Sequence, residues 1–178
     1  MAATVNIVRL TGAGPTATTI TSINTRANAE DAHSTAGTTN PIQIPAAGAN
    51  YSYWVTTRLI VDVAPTGTIN NIKWYTDGTN GFGTGVTCVG NASGSYVQAT
   101  GTPGTSGTEL NQANHAGLSA SVTNVFTFTA VGALSISGST SAGTGQLGNY
   151  VIYQIQVANT AAPGATGAET FTWKFDET

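Results

Sequence analysis

"YSYWVTTRLIVDV", residues 51–63, alternates apolar and polar side chains with a period of two. Tyr51, Tyr53, Val55, Leu59, Val61 and Val63 fall on one face, and Ser52, Thr56, Arg58 and Asp62 on the other, as in a half-buried strand. Trp54 breaks the polar face. It reads either as an anchor for a partner protein, where aromatic residues concentrate, or as core on the second side of a strand covered on both faces.

The same period recurs along the chain. "LGNYVIYQIQVA" places Val151, Tyr153, Ile155 and Val157 on one side with Gln154 and Gln156 opposite. "VTNVFTFTA" groups Val122, Phe126 and Phe128, and "ETFTWKFDE" sets Phe171, Trp173 and Phe175 against Thr170, Thr172 and Lys174. Further strands are expected at "TVNIVRLT", "ATTITSINT", "TINNIKWYT", "GVTCV", "SYVQAT" and "ALSIS", separated by clusters of Gly, Pro, Asn, Ser and Thr that mark turns. Helical spacing is confined to "TELNQANHAGLSA", residues 108–120, which suits one or two turns. About ten antiparallel strands imply an all-β fold, two sheets packed face to face as a β-sandwich of jelly-roll type, with a closed barrel as the competing topology. One domain, 1–178, is expected. Residues 25–40, "TRANAEDAHSTAGTTN", carry little apolar material and read as a loop or an N-terminal arm extended over a neighbour.

The outlier in composition is charge. Charged residues make up 7% of 178, against roughly 25% in ordinary soluble chains, and threonine alone outnumbers them. Such a surface must be built from hydroxyls, amides and backbone, and a net charge of −3 gives little self-repulsion to keep copies apart. The five basic residues, Arg9, Arg26, Arg58, Lys73 and Lys174, are too scattered in sequence to track phosphates, so nucleic acid is not an expected partner. No apolar run reaches the ~20 residues that span a bilayer as a helix, and no secretion signal is read after Met1. One cysteine excludes an intrachain disulfide; Cys88 in "GVTCVG" reads as a small buried hydrophobe.

"NNIKWYTDGTNGFGTGVTC", residues 70–88, tests for a ligand loop. A phosphate loop needs Gly-Lys, which is absent, and both this run and "GAGPTA" at 12–17 lead into strands where a dinucleotide fingerprint needs a helix. Asp77 and Asn80 offer hard oxygen ligands for calcium, but one carboxylate supplies little charge. The run reads as a loop between strands. His33 in "NAEDAHS" adjoins Glu30 and Asp31, yet residues adjacent in a loop rarely converge as a triad, and His115 has no acidic or cysteine neighbour in sequence. No pair among the eight acids has a spacing that singles it out for glycoside cleavage. No catalytic, metal or cofactor site is expected, and the chain does not read as an enzyme.

The blocks "TNPIQIPAAGANYSYWVTTRLIVDVAPTGTINNIKWYTDGTNGFGTGVTC", "YVQATGTPGTSGTELN" and "ETFTWKFDET" resemble a group of small all-β proteins of tailed phages and prophage-like genomes. The resemblance runs from Thr39 to Thr178 and carries no catalytic signature. It implies a virion component made in the host cytoplasm, a capsid decoration or cement protein on the capsid surface. Its partner would be the major capsid protein and its form a homotrimer. Repeated weak polar grips would then sum to durable attachment with little sensitivity to salt. Arg9, Arg26, Arg58 and Trp54 are the expected interface anchors. Two other readings are a tail, collar, fibre or self-polymerising filament subunit donating "TVNIVRLT" as a strand, and a carbohydrate-binding adhesin module stacking sugars on Trp54.

Overall fold

The computed structural model describes residues 2–36 and 38–178. The chain is all-β with antiparallel sheets and, among the described residues, no α-helix. Its twelve strands are β1 Thr4–Thr11, β2 Thr16–Thr19, β3 Ala49–Tyr51, β4 Val55–Val63, β5 Ile69–Tyr75, β6 Val86–Ser93, β7 Gly101–Thr102, β8 Ser106–Gly107, β9 Thr123–Asn124, β10 Leu134–Ser135, β11 Gly145–Ala158 and β12 Thr172–Glu177. A seven-stranded sheet runs β2-β1-β4-β11-β6-β9, with β3 also paired to β11; a three-stranded sheet runs β10-β5-β12, and β7 and β8 form a small ladder.

The fourteen residues of β11 are the axis of the large sheet. Its odd positions Val151, Tyr153, Ile155 and Val157 join Val55, Leu59 and Val61 of β4 and Val86 and Cys88 of β6 in the main core. From the other side that core is closed by Ile69, Ile72 and Trp74 of β5, with Phe171, Trp173 and Phe175 packed against it. The alternation read in the C-terminal strand therefore holds; in β5 it is broken at Asn71, whose positive φ lets Ile69 and Ile72 face the same core. Trp74 is the hub: Phe171 and Phe128 meet it edge-on at 5.1 and 6.2 Å, and Tyr153 stacks on it at 6.5 Å.

The opposite face of β11 is not solvated. An excursion between β6 and β9 crosses it, and Tyr53, Trp54, Ala99, Leu110, Leu118 and Ile152 form a second core there. Gln154, read from sequence as a polar-face residue, is fully buried between the two. Its amide donates to the carbonyls of Ser52 (2.8 Å) and Thr108 (2.7 Å), and its Oε1 accepts from the Leu110 N–H (2.7 Å). One side chain thus satisfies three backbone groups that have left ladder pairing.

Five expectations change. The stretch 51–63 is not one strand: it breaks at Ser52–Trp54, where Ser52 keeps pairing with Ile155 through both backbone and hydroxyl. The break puts Tyr53 and Trp54 together in the second core, although their parity assigns them to opposite faces. In 122–130 the period is interrupted by a 3-10 turn, Val125–Thr127, so Val122 packs in the second core and Phe126 in the first. "SYVQAT" is not a strand but part of the excursion, while 108–120 holds turns and one β-bridge, Leu118 to Ser93, with His115 N–H reaching Asn111 O. Of the two readings of 25–40, the loop describes it and the extended arm does not. Asn28 and Ala29 are buried, and the backbone of the segment bonds Tyr53 and Gly104 of its own chain.

Replacing Gln154 by Ala leaves two carbonyls and an N–H unpaired in a dry interior, at about 1–3 kcal/mol each before relaxation. Denaturant unfolding is expected to show a loss of about 3 kcal/mol or more, with accelerated hydrogen exchange at Leu110. Gln156→Ala, on the same strand face but half-buried, is expected to change stability by about 0.5 kcal/mol or less.

Candidate functional site

Of the four expected anchors, only Arg26 lies exposed, its Nε donating to the Thr35 carbonyl (3.0 Å). Arg9 is buried at 1% exposure, with Nη1 donating to the Arg26 carbonyl (2.6 Å) and the Thr25 hydroxyl (2.9 Å). Burial lowers its pKa, and Tyr153, Asp31, Glu30 and Tyr96 offset part of that shift. Its role is internal: it holds the 25–40 segment against β1. Trp54 is also interior, its indole N–H donating to the Val97 carbonyl (3.0 Å) and its ring meeting His115 edge-on at 5.6 Å. Of the two readings of Trp54, core on the second side describes it.

Arg58 is half-buried and fastens an irregularity in β11, where residues 148–150 stand opposite the single position 58 between the Leu59 and Thr57 pairings. Its Nε donates to Gly148 O (2.5 Å) and its Nη1 to Tyr150 Oη (3.1 Å) and Gln146 Oε1, while the guanidinium lies 4.6 Å from the Tyr150 ring centre. Nor is "TVNIVRLT" a free donor strand, since β4 pairs it from Thr4 to Leu10 and β2 pairs its other edge from Val8 to Thr11.

The glycine run is a loop from β5 to β6. Gly78, Gly83 and Gly85 have positive φ, and a Cβ on Gly85 would meet the Ala161 backbone at 2.6 Å. Asp77 Oδ1 accepts from Thr79 N–H (2.8 Å) and Asn80 Oδ1 from Phe82 N–H (3.1 Å), so both oxygens close local turns. His33 Nδ1 pairs with the Thr25 hydroxyl at 3.2 Å, while Glu30 binds Asn28 and Asn40 and Asp31 binds Gly12 N–H. The acids next to His33 in sequence thus brace the segment rather than orient the ring. Cys88 is fully buried, and burial pushes its thiol pKa up.

Those carboxylates exemplify a pattern. Asp62 accepts from Asn6, Glu109 from Asn111, Asp176 from Asn71, Glu169 from Gly81 N–H, and Glu177 from Ala3 and Thr66 N–H. With Glu30, Asp31 and Asp77, all eight acidic side chains of the chain are bonded to neutral donors of their own chain. Those bonds leave the carboxylates charged, and Asp62, Asp77, Glu109 and Glu177 are exposed; the two lysines lie on the outer face of the three-stranded sheet. There Lys73 stands opposite Lys174, and both line a groove of about 180 Å³ with Asn71, Tyr75, Ala130, Val131 and Ala133. A neighbouring groove of about 320 Å³ shares Tyr75, Ala130 and Val131. Val131 is 100% exposed. Sequence spacing could not show this face, because residues 73, 131 and 174 meet only through the pairing of β5 with β10 and β12.

Fold and surface together define an all-β protein of antiparallel sheets whose acids brace its own loops. No protein-family model, no curated protein and no solved structure matches the chain.

His115 gives the molecule a pH dependence. The ring is fully buried and, among the described residues, neither nitrogen has a partner; burial lowers its pKa from the ordinary 6.5. The unfolded chain then takes up the proton first: stability is full above the ordinary value and falls as pH drops below it. His33 is shifted the same way, by burial and then by the Arg9 charge. Thermal melts are expected to weaken from pH 7 to 5, with His115→Phe flattening that slope more than His33→Asn.

Proposed function

We propose that the chain is a structural virion protein, a capsid decoration or cement protein that stabilises a phage head by bridging coat subunits. In this reading the two sheets form a jelly-roll sandwich that acts as a rigid body, and a trimer grips several subunits at once. The observation that carries it is the scarcity of charge: charged residues are 7% of the chain, which leaves an exterior built largely of hydroxyls, amides and backbone. A surface of that kind can approach other protein closely without desolvating many ions, and the cost of stripping ions is what penalises charged interfaces. Multivalency then turns modest contacts into lasting attachment.

The adhesin reading loses its support on Trp54 and Trp74, which lie in the two cores rather than in an exposed row. A filament subunit needs a free donor strand, and β1 is occupied. Mixing the purified chain with bare coat-protein shells of the genome that encodes it is the test. Saturable binding at a fixed ratio to coat subunits, with shells that disrupt at higher temperature, is expected. A chain that polymerises alone, or stays monomeric and ignores the shells, would contradict the reading.

A further inference from the structure

Lys73 and Lys174 are the only lysines in the chain, and the fold sets them directly opposite one another on adjacent strands. Like charges so placed oppose strand pairing. Lys73 Nζ donates to the Ser135 hydroxyl of β10 (2.7 Å), and among the described residues neither ammonium donates to a carboxylate. The nearest acid along β12, Asp176, is bound instead to Asn71 (2.7 Å), the positive-φ residue where the β5–β12 register shifts. Beside the lysines stand a half-buried Tyr75 and the fully exposed Val131. The face therefore combines two unneutralised cations with an apolar side chain bare to water.

We propose that this face docks a carboxylate-bearing segment of another protein, which places an acidic side chain between the two ammonium groups and an apolar one against Val131. Charge complementarity selects the occupant. A second copy of this chain, whose Asp62, Asp77, Glu109 and Glu177 are exposed, is the competing occupant, and self-association of the parent that K73Q/K174Q abolishes would overturn the proposal. Nucleic acid would need a basic track, whereas two cations beside a valine suit a single acid with an apolar neighbour. A partner carboxylate would remove the lysine–lysine repulsion, so the face is less stable bare than occupied. Only the identity of the acidic protein, a coat subunit, rests on the reading given under Proposed function.

The test uses the full chain, the peptide N-acetyl-(Glu-Ala)3-amide, its Gln counterpart and inorganic phosphate, followed by NMR shifts and calorimetry. The Glu peptide is expected to shift signals of Lys73, Lys174 and Tyr75, and K73Q/K174Q to weaken its binding by at least about tenfold. The same double variant, freed of repulsion, is expected to melt about 1–3 °C higher than the parent at low salt, which also shows that it folds. Equal binding of the peptide by parent and variant would overturn the proposal, as would phosphate binding as tightly as the peptide at the same lysines. On coat-protein shells, K73Q/K174Q and Val131→Ser are each expected to bind less tightly than the parent. Shells that hold parent and both variants equally would overturn this face while leaving the cement reading intact. A parent that binds the Glu peptide through these lysines but ignores shells would uphold the face and sink the cement reading.

Discussion

The carboxamide of Gln154 stands where three parts of the chain meet: the centre of β11, the break between β3 and β4, and the excursion that covers the second face of the sheet. Antiparallel sheets commonly leave one face to water, and β11 does not. Burying both faces of a strand requires that something other than a second ladder satisfy the covering segment's backbone. Gln154 does so for Thr108 and Leu110, with Ser52 as the third partner. Remove that arrangement and the excursion from Gly94 to Val122 loses its polar tether to β11, keeping the bond from the Trp54 indole to Val97, its bonds to β6 and the apolar grip of Trp54, Ala99, Leu110 and Leu118.

A second constraint follows from composition. With so few ions, the chain uses each carboxylate as a brace, in most cases across long stretches of sequence: Glu177 holds Ala3 and Thr66, Glu169 holds Gly81, Asp31 holds Gly12. Hydrogen bonds to a charged acceptor are stronger than neutral ones, so a handful can fix many glycine- and threonine-rich loops. Loops held in this way present a firm surface, and a firm surface loses less entropy when it is covered. Arg9 works in the same manner from inside, a buried cation whose donors hold the 25–40 segment.

Strand identity was legible because a period of two survives wherever one face is apolar. β12 lies where that period places it, and Trp74 and Tyr75 point to opposite sides as their parity demands, although the positive-φ Asn71 breaks the period between Ile69 and Ile72. What parity cannot reveal is a second cover. Gln154 and Trp54 sit on faces whose other residues are polar, and nothing in their neighbours announces that a distant excursion will bury them. Tyr53 changed sides because Ser52 interrupts the strand while keeping its hydrogen bonds, a local event invisible to a periodicity count. The 25–40 segment looked too polar to fold back, yet its polar groups are what dock it: Glu30 with Asn28 and Asn40, Asp31 with Gly12, Thr25 with Arg9. The lysine face was beyond reach for a simpler reason, since it depends on strand order.

The central claim is that this sparsely charged exterior, and the lysine face in particular, is made to be covered by other protein of a virus particle. A cryo-EM reconstruction of the mature particle from the encoding genome tests it most directly. The account predicts this chain on the coat lattice, with Lys73, Lys174 and Val131 turned toward an acidic stretch of a coat subunit. A particle whose shell lacks the chain would contradict it.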